Sequence, residues 1–169
     1  KAYLNETFFE GNELLNANLY KLSKGLSLCS NASVDKGVFG DPTEVALVEF
    51  AMKHNQSKGD LEIAEPRVDE YPFDSVRKMM STMHETKDGK FVYTKGAMDS
   101  ILKVSTKIEI NGKVRPITDE DKENIVKASD EMAHSALRVL ALAYKQSNEL
   151  TEEDKNFILQ VFYYMKSSE

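Results

Sequence analysis

The 169-residue sequence has one cysteine, no tryptophan and only four arginines among its 22 basic residues. A single thiol, Cys29, excludes an internal disulfide and any multi-cysteine zinc site. It stands in an apolar stretch with Leu26 and Leu28, which reads as a small core residue rather than a nucleophile. The three histidines, His54, His84 and His134, lie far apart and show no metal-ligand spacing, so packing or surface roles are expected. Long apolar runs are missing too: the longest, Val139 to Tyr144, has six residues. A membrane span needs about 20. No apolar segment follows the opening Lys1-Ala-Tyr-Leu-Asn-Glu as a signal peptide would require. The start on Lys1 rather than Met suggests a piece of something longer. Basic charge is in deficit, 22 Lys+Arg against 28 Asp+Glu for a net −6, which argues against a general nucleic-acid or anionic-membrane binder. Also absent are G-x-x-x-x-G-K-[ST], G-x-G-x-x-G and G-x-S-x-G, and with them the common phosphate-loop and nucleophile-elbow chemistries.

What is present fits a soluble globular domain: 41% hydrophobic and 30% charged residues, without repeats or low-complexity tracts. The length suggests one domain, residues 1–169, able to bury roughly 70% of its unfolded surface without a metal or disulfide staple. Leucines at three- and four-residue steps predict an amphipathic helix over Glu13–Ser30, weakened by Gly25. Asp41-Pro42-Thr43-Glu44 reads as a helix start, Asp41 the cap and Pro42 the first helical residue, with the helix running to about His54. Asn55–Gly59 reads as a polar break.

The middle of the chain predicts strands. Arg67–Phe73 is interrupted by Pro72, which favours a strand end or an edge. Lys78–Thr86 and Lys90–Thr94 flank the turn signal Asp88-Gly89, and Lys107–Ile110 and Lys113–Ile117 flank Asn111-Gly112. Gly96–Val104 reads as a short helix. Thr118, with Asp121 three residues on, caps a long helix ending near Ser135. Arg138–Lys145 has the near-continuous apolar pattern of a central, doubly covered strand. Thr151 opens an expected last helix, and Phe157–Met165 reads as a strand of unclear role within 146–169. Two-residue turns join only antiparallel strands, so the expected class is α+β, an antiparallel twisted sheet flanked by helices.

Four clusters carry chemistry: GDPTEVAL (Gly40–Leu47), PFDSVRKMMS (Pro72–Ser81), YTKGAMDSIL (Tyr93–Leu102) and ALRVLALAYK (Ala136–Lys145). In this order and at these intervals they resemble the nucleotide-binding domain of P-type cation-transporting ATPases, most of all the calcium-pump branch in its bacterial form. F-x-S-x-R-K-x-M-S, with K-G-A behind it and G-D-x-T-E ahead, is a highly specific combination.

Each residue has a plain reading beside the one that the resemblance implies. Glu44 is placed to cap a helix; the resemblance puts it opposite the exocyclic amine of adenine, whose hydrogen bond a carboxylate accepts. Phe73 alone reads as a core aromatic, yet it lies between Pro72 and the polar Asp74-Ser75; the resemblance stacks it on the adenine ring. Lys78 and Arg77 read as a solvated pair; the resemblance points Lys78 at the phosphates and leaves Arg77 structural. Met80 is expected to line the adenine slot, where a flexible thioether suits a flat ring. Lys95 stands where a strand meets a helix, with Gly96 beside it to admit a ligand near the backbone; the resemblance sets Lys95 deep in the pocket. Arg138 opens an apolar strand, so its charge must emerge or be paired; the resemblance uses it on the ribose-phosphate. Leu140, two residues on, shares its face; the resemblance makes it the expected floor of the adenine site. The chain departs from the calcium-pump pattern at Ser75, where an Arg is common, and it lacks the G-x-x-x-D-P-P-R signature after Lys145.

No D-K-T-G-T, G-D-G-x-N-D or T-G-E motif occurs in the sequence. The resemblance therefore implies the ATP-holding part of a membrane transporter, with no catalytic or metal-ligating residue of its own. It would be a cytoplasmic domain, monomeric, free of nucleic acid and of direct membrane contact. It would take ATP as Mg-ATP, with the Mg²⁺ held mostly elsewhere. Its partners would be the phosphorylation and actuator domains of the same polypeptide. A stand-alone nucleotide sensor and an acidic protein-interaction module are the alternatives. ATP titration separates the module from the other two, and the flanking sequence separates sensor from pump.

Overall fold

A computed structural model describes residues 2–4, 7–9, 12–13, 19–34, 36–134 and 138–165. Among these residues nine strands form one sheet: β1 (Ala2–Leu4), β2 (Thr7–Phe9), β3 (Arg67–Asp74), β4 (Met79–Thr86), β5 (Gly89–Gly96), β6 (Ser105–Ile110), β7 (Lys113–Pro116), β8 (Arg138–Gln146) and β9 (Phe157–Met165). The spatial order is β2-β1-β9-β8-β5-β4-β3, and β6 pairs with both β7 and β9. Among the described strand pairs only β6–β9 is parallel; the other pairs are antiparallel. The α+β class and the antiparallel sheet stand as expected. Pro72 sits on the edge strand β3, where a missing N–H is tolerated, beside a register shift between Tyr71 and Asp74.

Both hairpins form for local reasons. Thr86 pairs with Gly89 around Lys87-Asp88. Asn111 and Gly112 adopt φ of +52° and +77°, the left-handed pair that a two-residue turn needs to match strand twist. Besides helical residues 12–13, the helices among the described residues are α1 (Tyr20–Leu28), α2 (Pro42–Lys53), α3 (Lys58–Ala64), α4 (Met98–Val104) and α5 (Asp119–Ala133). Asp41 caps α2 by accepting the Thr43 N–H at 2.8 Å, with Pro42 in the first turn. Thr118 and Asp121 form the reciprocal capping box of α5, and Arg115 clamps the Asp121 carboxylate at 2.6 and 2.8 Å.

Two expectations need correcting, and two fall partly outside the described residues. Residues 55–59 are not only a break: Ser57 accepts the Asp60 N–H and starts α3. Thr151 starts no helix; it opens a turn in which its N–H donates to Asp154 Oδ2 at 2.9 Å, while Lys145 holds Asp154 Oδ1 at 2.8 Å. No apolar helical face follows it, because Phe157 belongs to β9. Of the first helix expected over residues 13–30, residues 14–18 lie outside the described residues, as does the expected end of α5 at Ser135.

Strand alternation divides the core between the two sheet faces. Met79, Met83, Val92, Ala141 and Ala143 pack with α4 and α5. Met80, Tyr93 and Leu142 face the other way and pack with Leu22, Leu26 and Leu28 of α1 and Leu47 and Phe50 of α2. Burying each such leucine contributes about 1.5–3 kcal/mol. Gly25 has its reason here. A Cβ on it would lie 2.6 Å from Leu142 Cδ2, so the missing side chain lets α1 lie close on β8.

Candidate functional site

Five of the eight sequence-predicted residues, Glu44, Met80, Lys95, Arg138 and Leu140, come together at one end of the α1–α2 face, while Phe73, Lys78 and Gly96 lie at the β3–β4 turn and the end of β5 beside it. Met80 and Lys95 are paired across β4–β5, and Lys95 is paired with Leu142 across β5–β8. Leu140 and Arg138 lie two and four residues before Leu142, on its face of β8. α2 enters over this end, so its first turn brings Thr43 and Glu44 to the same place.

The centre is an ion pair. Lys95 Nζ donates to Glu44 Oε1 at 2.8 Å, and the two side chains are 8% and 18% exposed. The same ammonium donates to the Cys29 carbonyl and lies 3.6 Å from Met80 Sδ. Glu44 Oε2 accepts the Asn31 N–H at 3.1 Å. Glu44 thus directs its carboxylate across to the α1–α2 connection and to β5. Lys95 is not a solvated strand end but a buried cation with three neighbours. Met80 is buried, and Leu140 packs at the margin of the same apolar cluster.

The outer residues are held by different elements. Arg138 is exposed, and its Nη1 donates to Thr43 Oγ1 at 3.2 Å, which ties the start of β8 to the first turn of α2. Phe73 is 64% exposed at the end of β3, so it is not the core aromatic of the plain reading. Between β3 and β4, Asp74 Oδ1 accepts the N–H groups of Val76 and Arg77, which holds the Asp74 carboxyl below its ordinary range. Lys78 closes that turn with φ of +56° and an exposed side chain. Arg77 donates to Ser81 Oγ at 3.2 Å and lies over the Tyr71 ring.

Gly96 does something other than expected. A Cβ there would fall 2.1 Å from the Lys78 carbonyl oxygen and 2.9 Å from Met79 Cα. The close approach that the structure shows it permitting is that of β4. It thereby lets the Lys78 turn sit against the end of β5.

Two functional candidates escaped the sequence reading. Lys58, 5% exposed, donates to the Ser30 carbonyl at 2.7 Å. Arg67 donates to the carbonyls of Leu28 and Ser30 and to Asn31 Oδ1. Burial lowers the Lys58 pKa and raises that of the Cys29 thiol, whose Sγ lies 3.4 Å from the Met80 carbonyl oxygen. The sequence signal was only that a lysine opens an unrecognised helix and an arginine opens an edge strand.

A cavity of about 670 Å³ lies on the same face toward the other end of α1, with Tyr20, Lys24, Glu65, Phe91, Tyr93 and Tyr144 in its wall. None of the sequence-predicted residues lines it. In its wall Glu65 accepts from Lys24 at 3.0 Å and from the Tyr93 hydroxyl at 3.1 Å. Burial first, and Glu65 second, drive the Tyr93 pKa up.

Residues 18–163 match the family described as P-type ATPase, cytoplasmic domain N. The calcium-transporting ATPase 1 of Bacillus cereus is 43% identical over 128 residues, 75% of this chain and 14% of that protein. The calcium-transporting ATPase 1 of Lactococcus lactis is 35% identical over 155 residues, 88% of this chain and 18% of that protein. A sodium/potassium exporting P-type ATPase of Schizosaccharomyces pombe is 39% identical over 132 residues, 73% of this chain and 12% of that protein. The chain thus spans less than a fifth of the length of each of these curated relatives.

Proposed function

This chain belongs to the P-type ATPase cytoplasmic domain N family, and we propose that it grips the adenine of ATP and presents the γ-phosphate to an aspartate on another domain of a cation pump. The observation that carries this reading is the convergence of Glu44, Lys95, Met80 and Leu140 from four separate elements on one face. Each oxygen of the Glu44 carboxylate takes one donor and keeps a lone pair, so the exocyclic amine of adenine finds an acceptor whose direction is already set. Guanine offers a keto oxygen at that position and gains nothing from it. Met80 and Leu140 supply an apolar floor, and the exposed Phe73 ring supplies the stacking face, worth about 1–3 kcal/mol. Lys78 and Arg138, both exposed, are the cations for the phosphates. Lys95 has its charge partly balanced by Glu44, so its work is to orient that carboxylate as much as to attract an anion.

The role is positioning. Bringing a phosphoryl group in line with a nucleophile supplies much of the barrier reduction in such transfers, and the nucleophile here belongs to another part of the pump. Mg²⁺ arrives with the phosphates and neutralises their charge. The partners are the phosphorylation and actuator domains of the same polypeptide. The names of the bacterial relatives favour calcium as the transported ion, and the sodium/potassium exporter shows that related domains serve other ions.

The test is a chemical-shift titration of this chain with ATP. Movement centred on Phe73, Lys95 and Leu140 is expected. No movement at millimolar ATP removes the reading. Movement centred on Phe91, Tyr93 and Tyr20 instead transfers the nucleotide to the 670 Å³ cavity.

A further inference from the structure

Three cations from three different elements converge on the segment that leaves α1. Arg67, at the start of β3, donates from Nη2 to the carbonyls of Leu28 (3.0 Å) and Ser30 (2.6 Å), and from Nη1 to Asn31 Oδ1 (2.8 Å). Lys58, the first residue of α3, donates to the Ser30 carbonyl (2.7 Å), to Ser30 Oγ (3.1 Å) and to the Ala32 carbonyl. Lys95 donates to the Cys29 carbonyl. The carbonyls of Leu28, Cys29, Ser30 and Ala32 therefore all receive a charged donor.

A helix C-terminus leaves carbonyls unpaired and carries partial negative charge, so one cation there is ordinary capping. Three within five residues are more than a cap needs. Lys58 and Lys95 are 5% and 6% exposed, and burying an ammonium is costly unless it is held by hydrogen bonds, so these two cations are fixed in place by the carbonyls that they bind. What this clasp fixes is the surroundings of Glu44. The Asn31 N–H that donates to Glu44 Oε2 lies within the clasped segment, and the Lys95 ammonium that donates to Glu44 Oε1 is one of the clasping cations. Both oxygens of the carboxylate are aimed by groups that the clasp holds.

We propose that Arg67 and Lys58 are positioning residues for base selectivity: by clamping Leu28–Ala32 they hold the Asn31 amide and the Lys95 ammonium that orient the Glu44 carboxylate. The inference rests on the reading of Glu44 as acceptor of the adenine amine. It makes discrimination between adenine and guanine depend on residues that act through Glu44 rather than on the nucleotide.

The experiment uses this chain and its variants Arg67→Met, Arg67→Lys, Lys58→Met and Asn31→Ala, each titrated with ATP and with GTP while the Asn31 amide resonance and its hydrogen exchange are followed. The parent is expected to favour ATP. Arg67→Met and Lys58→Met should narrow the ATP:GTP affinity ratio severalfold, with a shifted and faster-exchanging Asn31 amide. Arg67→Lys should recover part of the ratio, because it restores a cation without the fork. Asn31→Ala keeps the amide that contacts Glu44 and removes only the side-chain link to Arg67, so its narrowing should be smaller. A folded Arg67→Met or Lys58→Met with a displaced Asn31 amide and the parental ratio overturns the inference and leaves the clasp with stability alone. If neither folds, a parental ratio in both Arg67→Lys and Asn31→Ala overturns it equally. A parent that binds neither nucleotide, or both alike, removes the reading of Glu44 and this inference with it. A parent that favours ATP while every variant matches it removes only the inference.

Discussion

Phe73 and Lys95 make opposite demands on an experiment. Phe73 is 64% exposed, so Phe73→Ala should change stability by no more than about 0.5 kcal/mol. Its effect should fall on binding: AMP, ADP and ATP weakened by similar factors, with parental salt dependence, because stacking is indifferent to phosphate charge. Lys78→Ala should weaken ATP more than AMP and flatten the salt dependence, since screened charge is what it removes. Calorimetry with the three nucleotides at two salt concentrations checks both, and AMP bound by Phe73→Ala as tightly as by the parent moves the base elsewhere. Lys95→Ala leaves the Cys29 carbonyl without its cation and Glu44 without its ion-pair partner, so a stability loss of about 1–3 kcal/mol should accompany any loss of affinity, read from denaturant unfolding. At this scale the sequence pointed to Glu44, Lys95, Met80 and Leu140 through motif likeness. It could not show that Lys95 is ion-paired or that Lys58 and Arg67 join it. Those contacts cross 26 to 66 residues of chain, and no local pattern encodes them.

Between elements, the tightest joint is β4 against β5 at Gly96. Gly96→Ala would press a methyl into the Lys78 carbonyl and the Met79 backbone, which a rotamer change cannot relieve; a loss of about 1–3 kcal/mol or more is expected in denaturant midpoint. A second joint ties α3 to β4 through His84, which is fully buried. Its ring lies 2.8 Å from the Glu65 carbonyl oxygen at Nδ1 and 2.8 Å from Thr82 Oγ1 at Nε2. A carbonyl only accepts, so Nδ1 carries the proton, and Nε2 accepts from the hydroxyl. Burial holds the His84 pKa below its ordinary 6.5, and His54 is shifted the same way by burial. The unfolded chain therefore takes up the proton first. The contribution of buried His84 is complete above about pH 6.5 and falls as the pH drops below it, by up to about 1.4 kcal/mol per unit, with the more exposed His54 adding less. Urea unfolding at pH 7.5 and 5.5 should show the loss, and His84→Gln should show less of it; an equal slope in the variant would assign the effect elsewhere. The hairpins, the cap of α2 and the capping box of α5 were legible because their signals are local. α3 was hidden because only Lys58 and Leu61 of its seven residues are buried. Thr151 misled because a threonine three residues before an aspartate also makes a hydrogen-bonded turn, and only the missing apolar face tells the two apart.

For the whole molecule the expectation is a weak, passive holder of nucleotide. With the base gripped and the phosphates half free, the affinity should be on the order of 0.1 to several mM. Incubation with γ-labelled ATP and Mg²⁺ should leave the chain unlabelled, because no D-K-T-G-T aspartate is present in the sequence. A labelled, hydroxylamine-sensitive protein would place an active site here after all. The α+β class was readable from two tight turns, whereas the position of β9, between β8 on one side and β1 and β6 on the other, was not, since it depends on pairings between distant segments. That position governs how the domain answers to force. Ala2 pairs with Tyr163 and Tyr3 with Phe162, so β1 and β9 run side by side in opposite directions. A pull that separates the two ends opens this pairing like a zipper, one rung after another, rather than shearing every bond at once. The seam should therefore part under a small load, well before the apolar layers beneath α1 and α5 are disturbed.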